Sequence, residues 1–380
     1  MNSYSLVTIL FFLSSGLFLG WSLGANDAAN VFGTAVTTKM LKFKTAAIIA
    51  SIFVIIGAVS GGKGTSSTLE KLGSVNALGG AFIVAFAAAI SVYLMTNISI
   101  PVSTSQSIVG AIIGWNFFVG LKTDLTVVTK IVMSWIASPI LAAIFSIIFF
   151  LGIRKLLHNS NIHLIRKDFY TRIGLIVVGA FGAYSLGANN IANVMGVFTE
   201  TIPLENISLF NVFIIDSKQQ LFFIGAMAIS TGILTYSKNV MNTVGKKLFK
   251  LSPMTALIVV LSSSTVLFLF ASRGLKSFLN SYGLPSLPLV PVSSSQAVVG
   301  AVLGISIAKK ASNLSFKTLG KISLGWVTTP LISALICFIM LFFMQNVFMQ
   351  KVYSRNIQNR VSINRVEASE YINKGDNYDR

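Results

Sequence analysis

The sequence is poor in charged residues, which occupy 11% of its 380 positions, whereas 54% are hydrophobic. A soluble domain carries about a quarter charged residues, so lipid rather than water is the expected solvent of this chain. It has one cysteine, which excludes an internal disulfide and a cysteine metal cluster. Its two histidines, His158 and His163, share one hydrophilic loop, where we expect them to be solvated.

Acidic residues are scarce as well, with 11 Asp and Glu against 29 Lys and Arg, for a net charge of +18. A basic chain can bind nucleic acid, but here the basic residues fall in short loops between apolar runs. An excess of Lys and Arg in cytoplasmic loops explains that pattern, so we expect no nucleic-acid partner. The first apolar run has no basic residue before Lys39, and it is therefore predicted to be a membrane span rather than a signal peptide.

Long apolar runs dominate the chain, and at about 20 residues per span they predict about 10–12 transmembrane helices. We expect an all-α polytopic membrane protein of the bacterial-type inner (plasma) membrane. With the amino terminus outside, four inside loops hold 16 of the 29 basic residues, which supports that orientation. The tail after about residue 350 does not follow this excess of basic residues on the inside, because its six basic residues lie outside in this orientation. The runs are 5–38, 45–60, 76–99, 101–119, 131–153, 172–199, 218–236, 253–271, 289–308 and 322–349.

Two polar phrases occur twice. GANDAAN at 24–30 returns as GANNIAN at 187–193, and PVSTSQ at 101–106 returns as PVSSSQ at 291–296. Two halves of five runs each must have opposite orientations, which is the inverted-topology plan of secondary transporters with a binding site near the midplane. A duplication retained only for packing is the alternative. The predicted domains are a first repeat (1–153), a cytoplasmic linker (154–171), an inverted second repeat (172–349) and a hydrophilic, disordered tail (350–380).

Asp27 is the one acidic residue within a long apolar run. A carboxylate in the bilayer costs several kcal/mol unless it is paired, hydrated or protonated, which makes Asp27 a functional candidate. Sodium is a suitable partner, because a hard cation binds carboxylate, amide and carbonyl oxygens. Proton transfer and a purely structural role are the alternatives. Gly24 and Gly187 are expected to break their helices, since free backbone groups at this depth must line a cavity or bind an ion.

The second phrase predicts an anion site. Proline suits the start of a helix, and the hydroxyls that follow, together with first-turn amides, form a helix N-terminus suited to an oxyanion. Simple helix capping is the alternative. The residues concerned are Ser103, Thr104, Ser105 and Gln106 in the first copy and Ser293, Ser294, Ser295 and Gln296 in the second.

Together, the four motif copies resemble the inorganic phosphate transporter (PiT) family, whose signature is a duplicated G-x-N-D-x-A-N phrase. The resemblance covers about residues 5–345 and implies cation-coupled phosphate symport by an inverted-repeat fold with broken helices, often as a homodimer. Many members have aspartate at the position of Asn190 and histidine at those of Gln106 and Gln296. The resemblance implies a cation site at Asn26, Asp27, Asn30, Asn189, Asn190 and Asn193, and phosphate-binding turns at the eight residues of the second phrase.

We therefore expect a secondary transporter that takes up inorganic phosphate with sodium by alternating access, with lipid as its environment and no cofactor. Proton coupling and another tetrahedral oxyanion, sulfate above all, remain alternatives. An ion channel would predict a ring of like groups, which an antiparallel repeat does not provide. An enzyme is not expected, because no nucleophile lies beside a candidate base in the apolar runs.

Overall fold

Each of the ten apolar runs forms a helix in the computed structural model, which describes residues 5–97, 102–158, 163–209, 213–243, 251–310 and 316–354. Three short helices, a 3₁₀ turn at Gly196–Phe198 and one antiparallel hairpin join them. The helices and strands are α1 (Leu6–Thr37), α2 (Phe43–Gly61), α3 (Lys63–Leu72), α4 (Leu78–Asn97), α5 (Thr104–Val119), α6 (Leu125–His158), α7 (Leu164–Met195), β1 (Ile207–Leu209), β2 (Phe213–Ile215), α8 (Ser217–Thr235), α9 (Ser237–Thr243), α10 (Pro253–Ala271), α11 (Arg273–Ser281), α12 (Ser294–Ala308) and α13 (Phe316–Asn346).

Seven of the described helices, namely α1, α2, α4, α6, α7, α10 and α13, are long and apolar enough to cross a membrane. The protein is thus an all-α polytopic membrane protein, as predicted. Fewer of the described helices than the expected 10–12 meet these two criteria, for physical reasons. Helices α5 and α12 have only 16 and 15 residues, too few for a bilayer that needs about 20, and α8 begins with three polar residues after Ser217.

The prediction that Gly24 and Gly187 break their helices is wrong, because α1 and α7 continue through them. Each glycine instead permits two helices to touch. A Cβ on Gly24 would overlap the backbone carbonyl of Ile229 in α8, and one on Gly187 would overlap that of Val54 in α2. Close approach of backbones at small residues is typical of membrane helix packing.

The chain instead leaves helical geometry at the two serine-rich phrases. Ser103 and Ser293 are extended N-cap residues whose side chains accept hydrogen bonds from the Gln106 and Gln296 amides. Pro101 lies outside the described residues. Both α5 and α12 therefore begin inside the molecule, as buried half-length helices.

Each half-length helix packs along the proline-containing helix of the other half. Gly110 of α5 approaches the Pro330 backbone in α13, and Gly300 of α12 approaches the Pro139 backbone in α6. A Cβ on either glycine would overlap the proline carbonyl. Pro139 and Pro330 thus take part in matching interhelical contacts, although the opposite orientation of the two halves stays a prediction.

The structure describes most of the predicted linker and the first five residues of the predicted tail. Helix α6 extends to His158 and α7 begins at Leu164, so most of segment 154–171 is helical, while 159–162 lie outside the described residues. At the other end, Val352 is buried and its carbonyl accepts a hydrogen bond from Trp115 Nε1 at 3.0 Å. The boundary predicted at 349 therefore falls within a packed segment, and residues 355–380 lie outside the described part of the chain.

Candidate functional site

The candidate residues from both repeated phrases come together where α1, α7 and the starts of α5 and α12 meet. Three of them, Asn26, Asn30 and Ser295, are half-buried. The other eleven are buried: Asp27, Ser103, Thr104, Ser105, Gln106, Asn189, Asn190, Asn193, Ser293, Ser294 and Gln296. The two predicted sites, one for a cation and one for an anion, therefore form one polar cluster.

Asp27 joins the two kinds of motif directly. Ser294 Oγ donates a hydrogen bond of 2.8 Å to Asp27 Oδ2, which links α1 of the first half to α12 of the second. The neighbouring amides extend this link, since Asn30 Nδ2 donates to Ser294 Oγ and Asn26 Nδ2 to Asp27 Oδ1, each at 3.4 Å. Among the described residues, Asp27 is the only buried side chain with a formal charge. Its acceptor oxygens and the serine hydroxyl thus form one end of the cluster.

The second asparagine phrase makes a matching set of contacts. Asn193 Nδ2 donates to Ser105 Oγ at 2.8 Å, which links α7 to α5, and also to Asn190 Oδ1 at 3.0 Å. Asn189 holds the backbone of Val292 from both sides, because its Nδ2 donates to the Val292 carbonyl at 2.7 Å and its Oδ1 accepts from the Val292 amide at 3.0 Å. This asparagine therefore orients the extended segment that leads into α12.

The starts of α5 and α12 are also bonded to each other. Ser105 Oγ donates to the Val292 carbonyl, and Ser295 Oγ donates to the Val102 carbonyl, both at 3.2 Å. The two helices thus present their N-terminal ends to a common region. Because unpaired amides and the helix dipole make each N-terminus favourable for negative charge, this pairing concentrates positive potential without a lysine or arginine.

Several buried polar atoms of the cluster have no hydrogen-bond partner among the described residues. An unsatisfied buried polar group costs about 1–3 kcal/mol, so a native structure seldom has many in one place unless water or a ligand satisfies them. Oxygen atoms suit a cation, whereas the hydroxyl of Thr104 and the amide nitrogen of Asn190 suit an anion. The unpartnered atoms are Thr104 Oγ1, Gln106 Oε1, Asn190 Nδ2, Asn193 Oδ1 and Gln296 Oε1.

Sequence reasoning missed one element beside the cluster. Helix α3 contains Thr65 and Ser66, both buried, and Thr65 Oγ1 donates to the carbonyl of Ala188, the residue before Asn189. The signal was present in GGKGTSST at 61–68, a polar and glycine-rich stretch between two apolar runs. Such a stretch has the composition of a surface loop, and only tertiary packing shows that it lies inside.

Known proteins share both the sequence pattern and the fold. The model of the phosphate transporter family matches residues 23–277 and 286–373. A candidate phosphate permease of Methanocaldococcus jannaschii is 30% identical over 323 residues, covering 85% of this chain and 93% of its own length. A sulfate permease of Bacillus subtilis is 29% identical over 344 residues, which cover 88% of this chain and 86% of that protein.

A solved structure described as "The sodium-dependent phosphate transporter" has the same fold. The TM-score is 0.68 at 21% identity, and the match covers 89% of this chain and 100% of the other. The family match includes all four repeated phrases in full, and it agrees with the resemblance drawn from the motifs. The chain belongs to the phosphate transporter family.

Proposed function

We propose that this protein takes up inorganic phosphate by symport with a cation, sodium, at the buried polar cluster between its two halves. The observation that carries the proposal is the hydrogen bond from Ser294 to Asp27. It joins Asp27, the one buried carboxylate among the described residues, to the N-terminal turn of α12, so cation and anion candidates are in direct contact. Membership of the phosphate transporter family supports the substrate, and transport rather than catalysis is the activity of its named relatives.

The same contact supplies a physical reason for coupling. In the structure, the hydroxyl proton of Ser294 points to Asp27 and is not available to an anion. A sodium ion on Asp27 would replace that proton as the partner of the carboxylate, and the hydroxyl could then donate to phosphate. Cation binding would also neutralise the negative charge that otherwise repels the anion. Each ion would therefore favour the binding of the other, as symport requires.

The cation-binding residues of this proposal are Asp27, with Asn26 and Asn30, and the matching set Asn189, Asn190 and Asn193. The phosphate-binding groups are the serine-rich turns at the starts of α5 and α12. Alternating access would come from movement of the halves around these buried turns, as in other secondary transporters built from repeats. A homodimer in the bacterial inner membrane is part of the proposal and rests on the family resemblance.

Sulfate is the second candidate, favoured by the 29% identity to a sulfate permease. Phosphate is partly protonated at neutral pH and can donate a hydrogen bond to a carboxylate, whereas sulfate cannot. A site whose serine touches Asp27 favours the anion that can donate. The remaining described acids are exposed or only partly buried and lie outside this cluster, which leaves Asp27 as the group that would discriminate between the two anions.

Uptake by proteoliposomes tests the choice of substrate. Labelled phosphate should enter vesicles that carry an inward sodium gradient, and a hundredfold excess of sulfate should leave that rate nearly unchanged. Strong inhibition by sulfate would assign the protein to the second candidate. A proton gradient without sodium, applied to the same vesicles, distinguishes the coupling ion.

A further inference from the structure

A cavity lies apart from the polar cluster, where the end of α6, the beginning of α7 and the beginning of α10 meet. Its volume is about 350 Å³. It therefore touches the last helix of the first half and two helices of the second. The lining residues are Phe150, Ile153, Arg154, Leu157, Lys167, Met254 and Ile258.

The cavity combines an apolar floor with a positively charged rim. Phe150, Met254 and Ile258 contribute the floor, whereas Arg154 and Lys167 are exposed at the opening. Neither cation takes part in an ion pair among the described residues. Asp168, which follows Lys167 in sequence, is 3.8 Å from Arg172 instead.

A third cation lies on the same side. The Nζ atom of Lys309 is 5.6 Å from the centre of the Phe150 ring. The charge of Lys309 adds to the positive potential at the opening of the cavity, although Lys309 is not one of the lining residues. No acidic residue is among those that line the cavity.

The positions of Arg154 and Lys167 along α6 and α7 indicate which part of the bilayer the cavity faces. The span of α6 ends at Leu157 and that of α7 begins at Ile165, so Arg154 and Lys167 lie at the ends of spans. Long basic side chains at span ends place their charge among lipid head groups and their carbon chains in the hydrocarbon. Exposed Leu156, Ile165 and Phe169 on the same segments are suited to contact with lipid.

We propose that this cavity binds an anionic phospholipid, with its phosphodiester between Arg154 and Lys167 and an acyl chain over Phe150, Met254 and Ile258. Basic pockets between membrane helices are suited to such head groups. Inorganic phosphate would match the rim but not the floor, and a zwitterionic lipid would match the floor but has no net charge for the rim. Bound there, the lipid holds the junction of the two halves together.

Titration of dioctanoyl-phosphatidylglycerol into the purified full-length protein in a neutral detergent tests the site, with native mass spectrometry to count bound lipid. The double variant Arg154→Gln/Lys167→Gln should lower the affinity about thirtyfold, since each cation near a membrane surface contributes about a factor of five. A matched control, Lys42→Gln/Lys44→Gln, removes two charges at the start of α2 and should retain the native affinity. An unchanged affinity in the first variant, or an equal loss in the control, would overturn the proposal.

Two further measurements are needed. One compares phosphatidylglycerol with phosphatidylcholine and with inorganic phosphate as the ligand, and the other uses a second variant in case the double variant does not fold. Dioctanoyl-phosphatidylcholine should bind the native protein far more weakly, and inorganic phosphate should not displace phosphatidylglycerol. Equal binding of the two lipids, or displacement by phosphate, would count against a phospholipid site. Met254→Trp keeps both cations but fills the floor, and it should also weaken phosphatidylglycerol binding. Native affinity in that variant would contradict the assigned acyl-chain contact.

Discussion

At the scale of single residues, Asp27 and Ser294 carry the functional argument. Their positions differ by 267 in sequence, yet their side-chain oxygens are 2.8 Å apart. A carboxylate that is buried in a membrane protein needs a partner, and here a serine from the other half of the chain supplies it. The contact couples two motifs that the sequence presents as separate features.

Ser294→Ala tests the role of this hydroxyl. The variant removes one donor that we assign to phosphate, and a hydrogen bond to a charged group contributes about 1.5–3 kcal/mol. The apparent phosphate affinity in uptake assays should therefore fall by roughly 10- to 100-fold. Ser306→Ala, in the same helix, removes a hydroxyl that donates to the Val302 carbonyl and has no other partner among the described residues, and it should leave the affinity unchanged. Similar affinities in both variants would remove Ser294 from the site.

Asn190 stands in the second phrase where the first phrase has Asp27, and Asn190→Asp tests what that difference does. Asn190 Oδ1 already accepts from Asn189 and Asn193, so an aspartate would keep both contacts. It would also add a negative charge to a buried oxygen cluster. The concentration of sodium needed for half-maximal uptake should fall, and the dependence of the rate on sodium should become steeper. No change in either quantity would mean that this side chain does not face the cation.

The sequence predicted which polar residues lie together in the cluster, because asparagine, serine and aspartate are conspicuous in apolar runs. It did not predict their pairing. Both ends of the Asn189 amide are hydrogen-bonded to the Val292 backbone, and nothing in GANNIAN indicates that partner. Thr65 was missed for the same reason, since its contact with the Ala188 carbonyl depends on how α3 folds back into the molecule.

At the scale of elements, the ten apolar runs predicted ten helices, but helix breaks were assigned to the wrong phrase. A glycine inside a helix costs about 1 kcal/mol relative to alanine in water, which is too little to end a helix whose neighbours pack against it. Gly24 is held in α1 by contact with the Ile229 backbone. The proline and serine residues before α5 and α12 are stronger signals, because an extended N-cap stops the helix on its amino-terminal side.

Gly24→Ala tests this interpretation of the glycine. The added methyl would overlap the Ile229 carbonyl, so α1 and α8 must separate. Overpacking of this kind costs about 1–3 kcal/mol, and the variant should unfold at a lower temperature in detergent. Gly152→Ala in α6 is the matched control, because no atom lies within 4 Å of its added Cβ. Equal unfolding temperatures for the two variants would contradict the packing role.

Two ion pairs fasten α3 to the start of α8. Lys63 pairs with Asp216, and Lys218 pairs with Glu70 at 2.7 Å. Partial burial opposes ionisation of Asp216, but the hydrogen bond and charge of Lys63, together with the Gln219 amide, outweigh it and hold the pKa below its ordinary value of 3.8. A lowered pKa means that the stabilisation is present above the unfolded value and is lost as pH falls through the folded value.

Asp216→Asn should therefore be less stable than the native protein at pH 6, while the asparagine still caps α8. The difference should be within about 1 kcal/mol, as for other exposed pairs, and should shrink as the pH falls below about 3.8. Unfolding temperatures of both proteins at pH 6 and at pH 3 measure it. A difference that is independent of pH would show that the contribution is not electrostatic.

At the scale of the whole molecule, the two halves pack against each other and both contribute residues to the polar cluster. The short helix of each half lies along the proline-containing helix of the opposite half, and the polar cluster draws on both. Neither half could enclose the cluster alone. The repeated phrases predicted this cooperation, whereas their exchange across the molecule could not be predicted, since the sequence does not specify which helices become neighbours.

The central claim is that Asp27 couples a cation gradient to the entry of phosphate, and uptake by Asp27→Asn in proteoliposomes tests it most directly. Glu205→Gln, an exposed acid in the loop before α8, serves as the control for lost charge. We expect native protein and control to accumulate phosphate when sodium is applied outside. Asp27→Asn, inserted and folded, should show no stimulation by the sodium gradient. Sodium-stimulated uptake at the native level in that variant would contradict the account.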